Sequence, residues 1–184
     1  MVQANNLGGI ISNIITYMFA LSSAYSAHSP QAHPDLKHKE KGVPLEIKSS
    51  IRPGKGGESH NGHGGWHLIA CYNMNEEDGD IRFVHIMAAD LIGWEHGEKD
   101  WKHSKSTKAK GGGTGHIDTY ETTPQGHAKL RDGTVYLDTD MVTNWRGWRR
   151  NSPQPTPAYS IFYRPTLDNY PKPQERKRQK KQRS

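Results

Sequence analysis

The sequence predicts an α/β fold, and three observations carry that prediction. Residues 7–25 place Ile11, Ile14, Ile15, Met18 and Phe19 at helical spacing, and Ala20, Leu21 and Ala24 extend the stripe. Two short segments flank the polar triplet Glu40-Lys41-Gly42, which is a hairpin signal. The run from Ile81 to Ala89 is rich in β-formers and reads as a buried strand.

The chain of 184 residues suits one domain, over residues 1–165, followed by a basic tail over 166–184. Only 32% of residues are hydrophobic and the mean hydropathy is −0.92, so the core is modest and the loops are long. A formal charge of +6 favours a polyanionic partner. The single cysteine, Cys71, excludes an intrachain disulfide framework and a Cys-cluster zinc site. It sits in the apolar run Leu68-Ile69-Ala70-Cys71 and reads as a small buried hydrophobe.

The N-terminal stripe has two rival readings. An apolar centre followed by Ser22-Ser23-Ala24 has the look of a signal peptide, but Met1 to Asn6 contain no Lys or Arg. A membrane span is disfavoured because Ser12, Asn13 and Thr16 interrupt it. The expectation is a helix packed on the core of a cytoplasmic protein, with export as the alternative.

The hairpin carries the chemistry. With residues 40–42 as the turn, Asp35 falls opposite or one step from Glu46 and Lys48 on the returning strand. A side-chain period of two puts Glu46 and Lys48 on one face and Leu45 and Ile47 on the other. Two carboxylates and a lysine then share one side of a hairpin whose back is apolar. Mg²⁺ takes carboxylate and carbonyl oxygens, and the Ile47 carbonyl adds one. A lysine beside such an ion can orient or activate its water for phosphodiester hydrolysis.

Pro34-Asp35, a gap, then Glu46-Ile47-Lys48 resembles the PD-(D/E)XK motif of many restriction endonucleases. The resemblance covers residues 30–90 well and the rest loosely. It implies a restriction-endonuclease-like core, a mixed β-sheet flanked by helices, and cleavage of double-stranded DNA, with Asp35, Glu46 and Ile47 as Mg²⁺ ligands. Asp35, Glu46 and Lys48 would be the catalytic set, and a homodimer is common among such enzymes. Some members carry an acidic residue on the first helix. No Asp or Glu precedes Asp35 here, which leaves a one- or two-metal mechanism open.

Downstream, residues 49–58 form a Gly-rich loop whose Arg52 and Lys55 suit a basic groove; it lacks the order of a phosphate-binding P-loop. His60, His63 and His67 lie among glycines and are not read as zinc ligands. Residues 66–73 are apolar enough for a strand or a helix, and Asn75 to Asp80 form a turn. His85 reads as a hydrogen-bonded core histidine, and Asp90 as a cap for a turn at Leu91-Ile92-Gly93. Lys102, Lys105, Lys108 and Lys110 lie among Ser and Thr in a basic stretch suited to phosphate contacts.

His116 to Thr123 alternates like a strand, and Pro124-Gln125-Gly126 reads as a turn. Asp132-Gly133 reads as a hairpin turn into the strand Thr134–Asp138, which extends the sheet or forms a DNA-reading arm. Arg146, Arg149 and Arg150 interleave with Trp145 and Trp148. Arginine can read guanine and tryptophan can close a core, and both roles stay open. Tyr159–Tyr163 is a last strand or a docking segment. The tail Glu175–Arg183 predicts disorder and non-specific polyanion binding.

The sequence therefore leads to a Mg²⁺-dependent DNA endonuclease, most closely a type II restriction enzyme. The alternatives are a repair or recombination nuclease, a non-catalytic nucleic-acid-binding protein and an exported His-rich binding protein.

Overall fold

Helix α1 (Ala4–Leu21) opens the fold, and its inner side explains why it forms. Ile11 is buried, and Ile15, Phe19 and Ala20 pack against Leu36, Leu45 and Ile47. The computed structural model describes residues 4–28, 33–60, 62–75, 77, 79–108, 116–151 and 155–164. The helix ends at Leu21, short of the predicted Tyr25, because Ser22 takes over its last turn. Both the Ser22 N–H and its hydroxyl donate to the Phe19 carbonyl, at 3.0 and 2.5 Å. The chain then turns into β1 (Tyr25–Ala27), an element the sequence did not announce.

Strands β2 (Leu36–His38) and β3 (Pro44–Ser50) form the predicted hairpin. Leu36 pairs with Leu45 and Lys37 with Pro44. Gly42 makes the turn possible: its φ is +66°, and its N–H donates to the His38 carbonyl at 2.8 Å. Strand β5 (Gly65–Met74) resolves the strand-or-helix alternative at residues 66–73 and runs parallel to β3. A parallel pair requires the chain to return to its starting end. Residues 51–64 make that return, passing on the way through β4 (Glu58–His60), which belongs to a second sheet.

Strand β6 (Ile81–Leu91) is the predicted strand, two residues longer than expected, and it is largely buried only from Val84 onward, while Ile81, Arg82 and Phe83 are exposed. It is joined to β5 by the expected turn, in which Asn75 N–H donates to the Asp80 carbonyl at 2.9 Å. Asp90 lies inside β6 and pairs with Trp66, so it caps nothing. The following 3-10 turn (Trp94–His96) starts at Gly93 without a side-chain cap. The main sheet has the order β1-β2-β3-β5-β6-β9, antiparallel except at β3–β5.

The second half gains one strand that the sequence left unassigned and corrects one prediction. The lysine-rich stretch contains a strand, β7 (Trp101–Lys108), anchored by the buried Trp101 and paired with β8 (His116–Thr122). These two and β4 make a three-stranded sheet of order β4-β8-β7. Pro124–Asp132 is helix α2, where a turn and the start of a hairpin were expected. Thr123 is its N-cap, accepting from Gly126 N–H at 3.2 Å, with Pro124 in the first turn. Gly126 lets the helix approach β7's start: a Cβ there would lie 2.5 Å from the Asp100 carbonyl oxygen.

Strand β9 (Thr134–Leu137) then extends the main sheet beside β6. Trp145 and Trp148, on a 3-10 turn (Trp145–Asn151), pack against the second core, so tryptophan does close it. Tyr159–Tyr163 docks without forming a strand: Tyr159 Oη donates to the Ala88 carbonyl and Ile161 N–H to that of Thr134. The tail at 166–184 lies outside the described residues.

The register fixes two faces. Leu45 and Ile47 of β3 align with Trp66 and Leu68 of β5 beneath α1. Glu46 and Lys48 align with His67 and Ile69 on the opposite face. There Ile69, Cys71, Val84 and Met87 meet Trp101, Tyr120 and Leu130 in the larger core. The cluster of interest therefore lies at the margin between the two sheets.

Candidate active site

Asp35 precedes β2, and the hairpin register carries it to Glu46 and Ile47. Ile47 N–H donates to Asp35 Oδ2 at 2.7 Å, and Asp35 N–H approaches Glu46 Oε2 at 3.4 Å. An extended residue directs its N–H and C=O to the same strand edge, so the Ile47 carbonyl faces the Asp35 side as well. Lys48 Nζ donates to Glu46 Oε1, two residues away on the same face. Asp35, Glu46, Ile47 and Lys48 thus lie in one cluster.

A histidine completes the cluster. His33 Nδ1 lies 2.7 Å from Glu46 Oε2, where its N–H donates to the carboxylate. Its ring stacks on that of His63 with centroids 4.1 Å apart and planes at 21°. Neither was assigned from sequence. The only signals were the place of His33 two residues before Asp35 and the histidines at 60, 63 and 67, which from sequence are not read as zinc ligands.

The two carboxyls are driven apart. Burial raises the Asp35 pKa and the negative Glu46 adds to it, against the lowering effect of the Ile47 N–H. Burial also works to raise Glu46, but Lys48 and His33 outweigh it and hold it below the ordinary glutamate range. Burial together with His33 lowers His63. Beside them, His67 is fully buried and pushed down to about 4 by that burial. Its Nδ1–H donates to the Gly65 carbonyl at 2.8 Å, leaving Nε2 without a hydrogen-bond partner.

Among the described residues, no group of three or more His, Cys, Asp or Glu side chains is arranged to hold a metal ion. The oxygen donors here are two carboxylates and a strand carbonyl. That set suits Mg²⁺, which binds through one or two carboxylates and keeps several waters. The raised Asp35 is consistent with the fit, since a carboxyl beside a second negative charge is one that an added cation would favour in its ionised form.

The basic residues are dispersed. Arg52 and Lys55 are exposed on the loop after β3, and Lys102 and Lys105 are exposed on β7. Lys102 Nζ is 2.8 Å from Glu121 Oε1, and Lys55 is close enough to help lower the same carboxyl. Arg146 lies over the Trp145 ring at 5.0 Å from its centroid. The side chains of Lys108, Arg149 and Arg150, and Lys110 altogether, lie outside the described residues.

The two bland readings hold. His85 is buried, accepting from Gly54 N–H at 3.1 Å and donating through Nε2 to Thr134 Oγ1 at 2.8 Å. Cys71 is fully buried, and burial pushes its thiol up to about 12. No helix among the described residues is long and apolar enough to cross a membrane. No family model, no curated protein and no solved structure matches the chain.

Proposed function

We propose that the chain is a Mg²⁺-dependent endonuclease that hydrolyses phosphodiester bonds of double-stranded DNA, most closely a type II restriction endonuclease of the PD-(D/E)XK kind acting in the cytoplasm. The observation that carries this reading is the convergence of Asp35, Glu46 and Lys48, with the two carboxyls shifted in opposite directions. Carboxyls whose environments pull their pKa values apart take separate roles in a site.

Asp35, Glu46 and the Ile47 carbonyl would hold the ion, which supplies neutralisation of phosphate charge and a more acidic bound water. Lys48 Nζ, now donating to Glu46 Oε1, orients the attacking water by donating to its oxygen. Arg52, Lys55, Lys102, Lys105, Lys108 and Lys110 supply phosphate contacts, while Arg146, Arg149 and Arg150 are the candidates for reading bases.

Plasmid nicking across a Mg²⁺ titration tests the assignment. Asp35→Ala, Glu46→Ala and Lys48→Ala should each abolish cleavage, with folding checked by circular dichroism. Glu40→Ala, at the exposed hairpin turn, should cut normally. Near-wild-type cutting by a folded Glu46→Ala or Lys48→Ala protein would end the assignment.

A non-catalytic nucleic-acid-binding protein is the second reading, favoured by one observation. Both oxygens of Glu46 already have partners, as in an ion-pair lattice that only holds a hairpin together. That reading expects Mg²⁺-independent association with DNA and no strand cleavage. A repair or recombination nuclease would cleave, but without products fixed by sequence.

A further inference from the structure

The loop after β3 is fastened to three different elements. The Arg52 carbonyl accepts from Lys55 N–H at 3.2 Å and from the Cys71 thiol of β5 at 3.5 Å. Gly54 N–H donates to His85 Nδ1 of β6 at 3.1 Å, and the Gly54 carbonyl accepts from Arg131 Nε of α2 at 2.8 Å. Gly54 meets both because its φ is +75° and it has no side chain. A Cβ there would lie 3.0 Å from Arg131 Nε and from the Trp148 ring. Trp148 completes the assembly. Its ring stacks on that of His85, with centroids 4.9 Å apart and planes at 19°, and the Arg131 guanidinium lies 5.4 Å from its centroid.

Two cationic segments far apart in sequence are thereby held together. One is the loop over residues 49–57, where Arg52 and Lys55 are exposed. The other is the 3-10 turn Trp145–Asn151, where Arg146 is exposed. Neither segment contains an Asp or a Glu. Arg131 touches both and is half-buried, yet among the described residues no carboxylate pairs with it. Burial lowers its pKa with no neighbouring acid to offset that effect. Burial, then Arg131 and Lys55, also push His127 down to about 4, so the two cations act on one point. A half-buried guanidinium without a counter-charge is costly until an anion reaches it.

The register sets this assembly beside the candidate active site. Ser50, Cys71 and His85 are successive register partners across β3, β5 and β6. Ser50 shares its face with Glu46 and Lys48, so the row lies roughly 7 Å along the strand from Lys48 and roughly 13 Å from Glu46. We propose that Arg131, with Arg52, Lys55 and Arg146, forms a clamp on the phosphodiester backbone of duplex DNA, and that Arg131 and Trp148 position it. The duplex as ligand rests on the nuclease reading. Arginine suits the role because its planar fork stacks on an indole while offering its other N–H groups to phosphate oxygens. At that distance the clamp holds a phosphate neighbouring the scissile one.

Fluorescence anisotropy of a labelled duplex, in EDTA so that nothing is cut, reads the clamp directly. Loss of one phosphate contact lowers the slope of log K against log salt by about 0.9. Arg131→Gln should lower it by about twice that and weaken binding about tenfold or more, because Arg52 and Lys55 lose their placement with it. Arg52→Gln should weaken binding in the wild type and do little in the Arg131→Gln background, since the two act as one unit. Arg131→Lys keeps the charge but not the fork to Gly54 and should recover only part of the loss. Lys41→Gln, an exposed cation at the hairpin turn, should bind as wild type. Circular dichroism checks the fold of each variant. A folded Arg131→Gln protein with wild-type affinity and slope would overturn the clamp. So would wild-type binding by the doubly substituted Arg52→Gln, Lys55→Gln protein, which alters only exposed side chains. Binding that weakens as expected, beside a wild type that never nicks plasmid in Mg²⁺, supports the clamp and ends the nuclease reading.

Discussion

Glu46 on β3 and His67 on β5 are register partners on one face of the sheet, and burial affects them in opposite ways. Glu46 stays charged because Lys48 and His33 occupy its two oxygens. His67 has no such partner and is held neutral, its pKa near 4. A charge survives at this margin only where a counter-charge reaches it.

His33 therefore competes with any cation for Glu46. His33→Ala removes the Nδ1–H that donates to Oε2 at 2.7 Å. It should lower stability by about 1 kcal/mol, the scale of one such hydrogen bond. It should also lower the Mg²⁺ concentration needed for binding, because Oε2 is released. Isothermal titration with Mg²⁺, alongside a denaturant melt, reads both. Weaker Mg²⁺ binding in a folded variant would show that His33 supports the ion rather than excluding it.

Acid should destabilise the fold from neutral pH downward. Burial holds His67, His85 and His127 near 4, against an ordinary value of 6.5. Below 6.5 the unfolded chain takes up protons that the folded chain refuses. Stability is then complete above about 6.5 and falls as the pH drops toward 4. The raised Asp35 acts with the opposite sign, and three histidines should outweigh it. Denaturant midpoints measured between pH 7.5 and 4.5 should decline, with a shallower slope in His85→Gln. A flat profile over that range would contradict the shifts.

Gly133 joins α2 to β9 where the chain touches β6. A Cβ there would lie 1.8 Å from the Ala88 carbonyl oxygen and 3.0 Å from Tyr159 Oη. The contact is ordered on both sides, because Ala88 N–H donates to the Gly133 carbonyl and Tyr159 Oη to the Ala88 carbonyl, each at 2.8 Å. Gly133→Ala should cost about 1–3 kcal/mol or more through overpacking. Gly9→Ala is the contrasting case: in the open face of α1 it should stabilise by up to about 1 kcal/mol. Thermal melts of the two variants should shift in opposite directions.

What the sequence determined by itself was local. The hairpin at 36–50, most of the strand at 81–91 and the existence of α1 (though not the packing expected of Ile14, Met18 and Leu21, which are exposed) follow from side-chain period and turn chemistry, which act over a few residues. The approach of Asp35 to Glu46 belongs to this class, since a tight turn at Gly42 leaves few registers. The capping of α2 was also within reach, because Thr123-Pro124 is a helix-start signal that the nearby glycines disguised as turns. Only the tertiary structure decided which distant groups would meet. His33 and His63 stack across thirty positions of chain, and His67 aligns with Glu46 through a parallel pairing that no local pattern specifies. The same holds for the second sheet, where β4 joins β8 from across the molecule. Such contacts depend on loop closure and on which faces need covering, so they emerge only when the whole core is assembled.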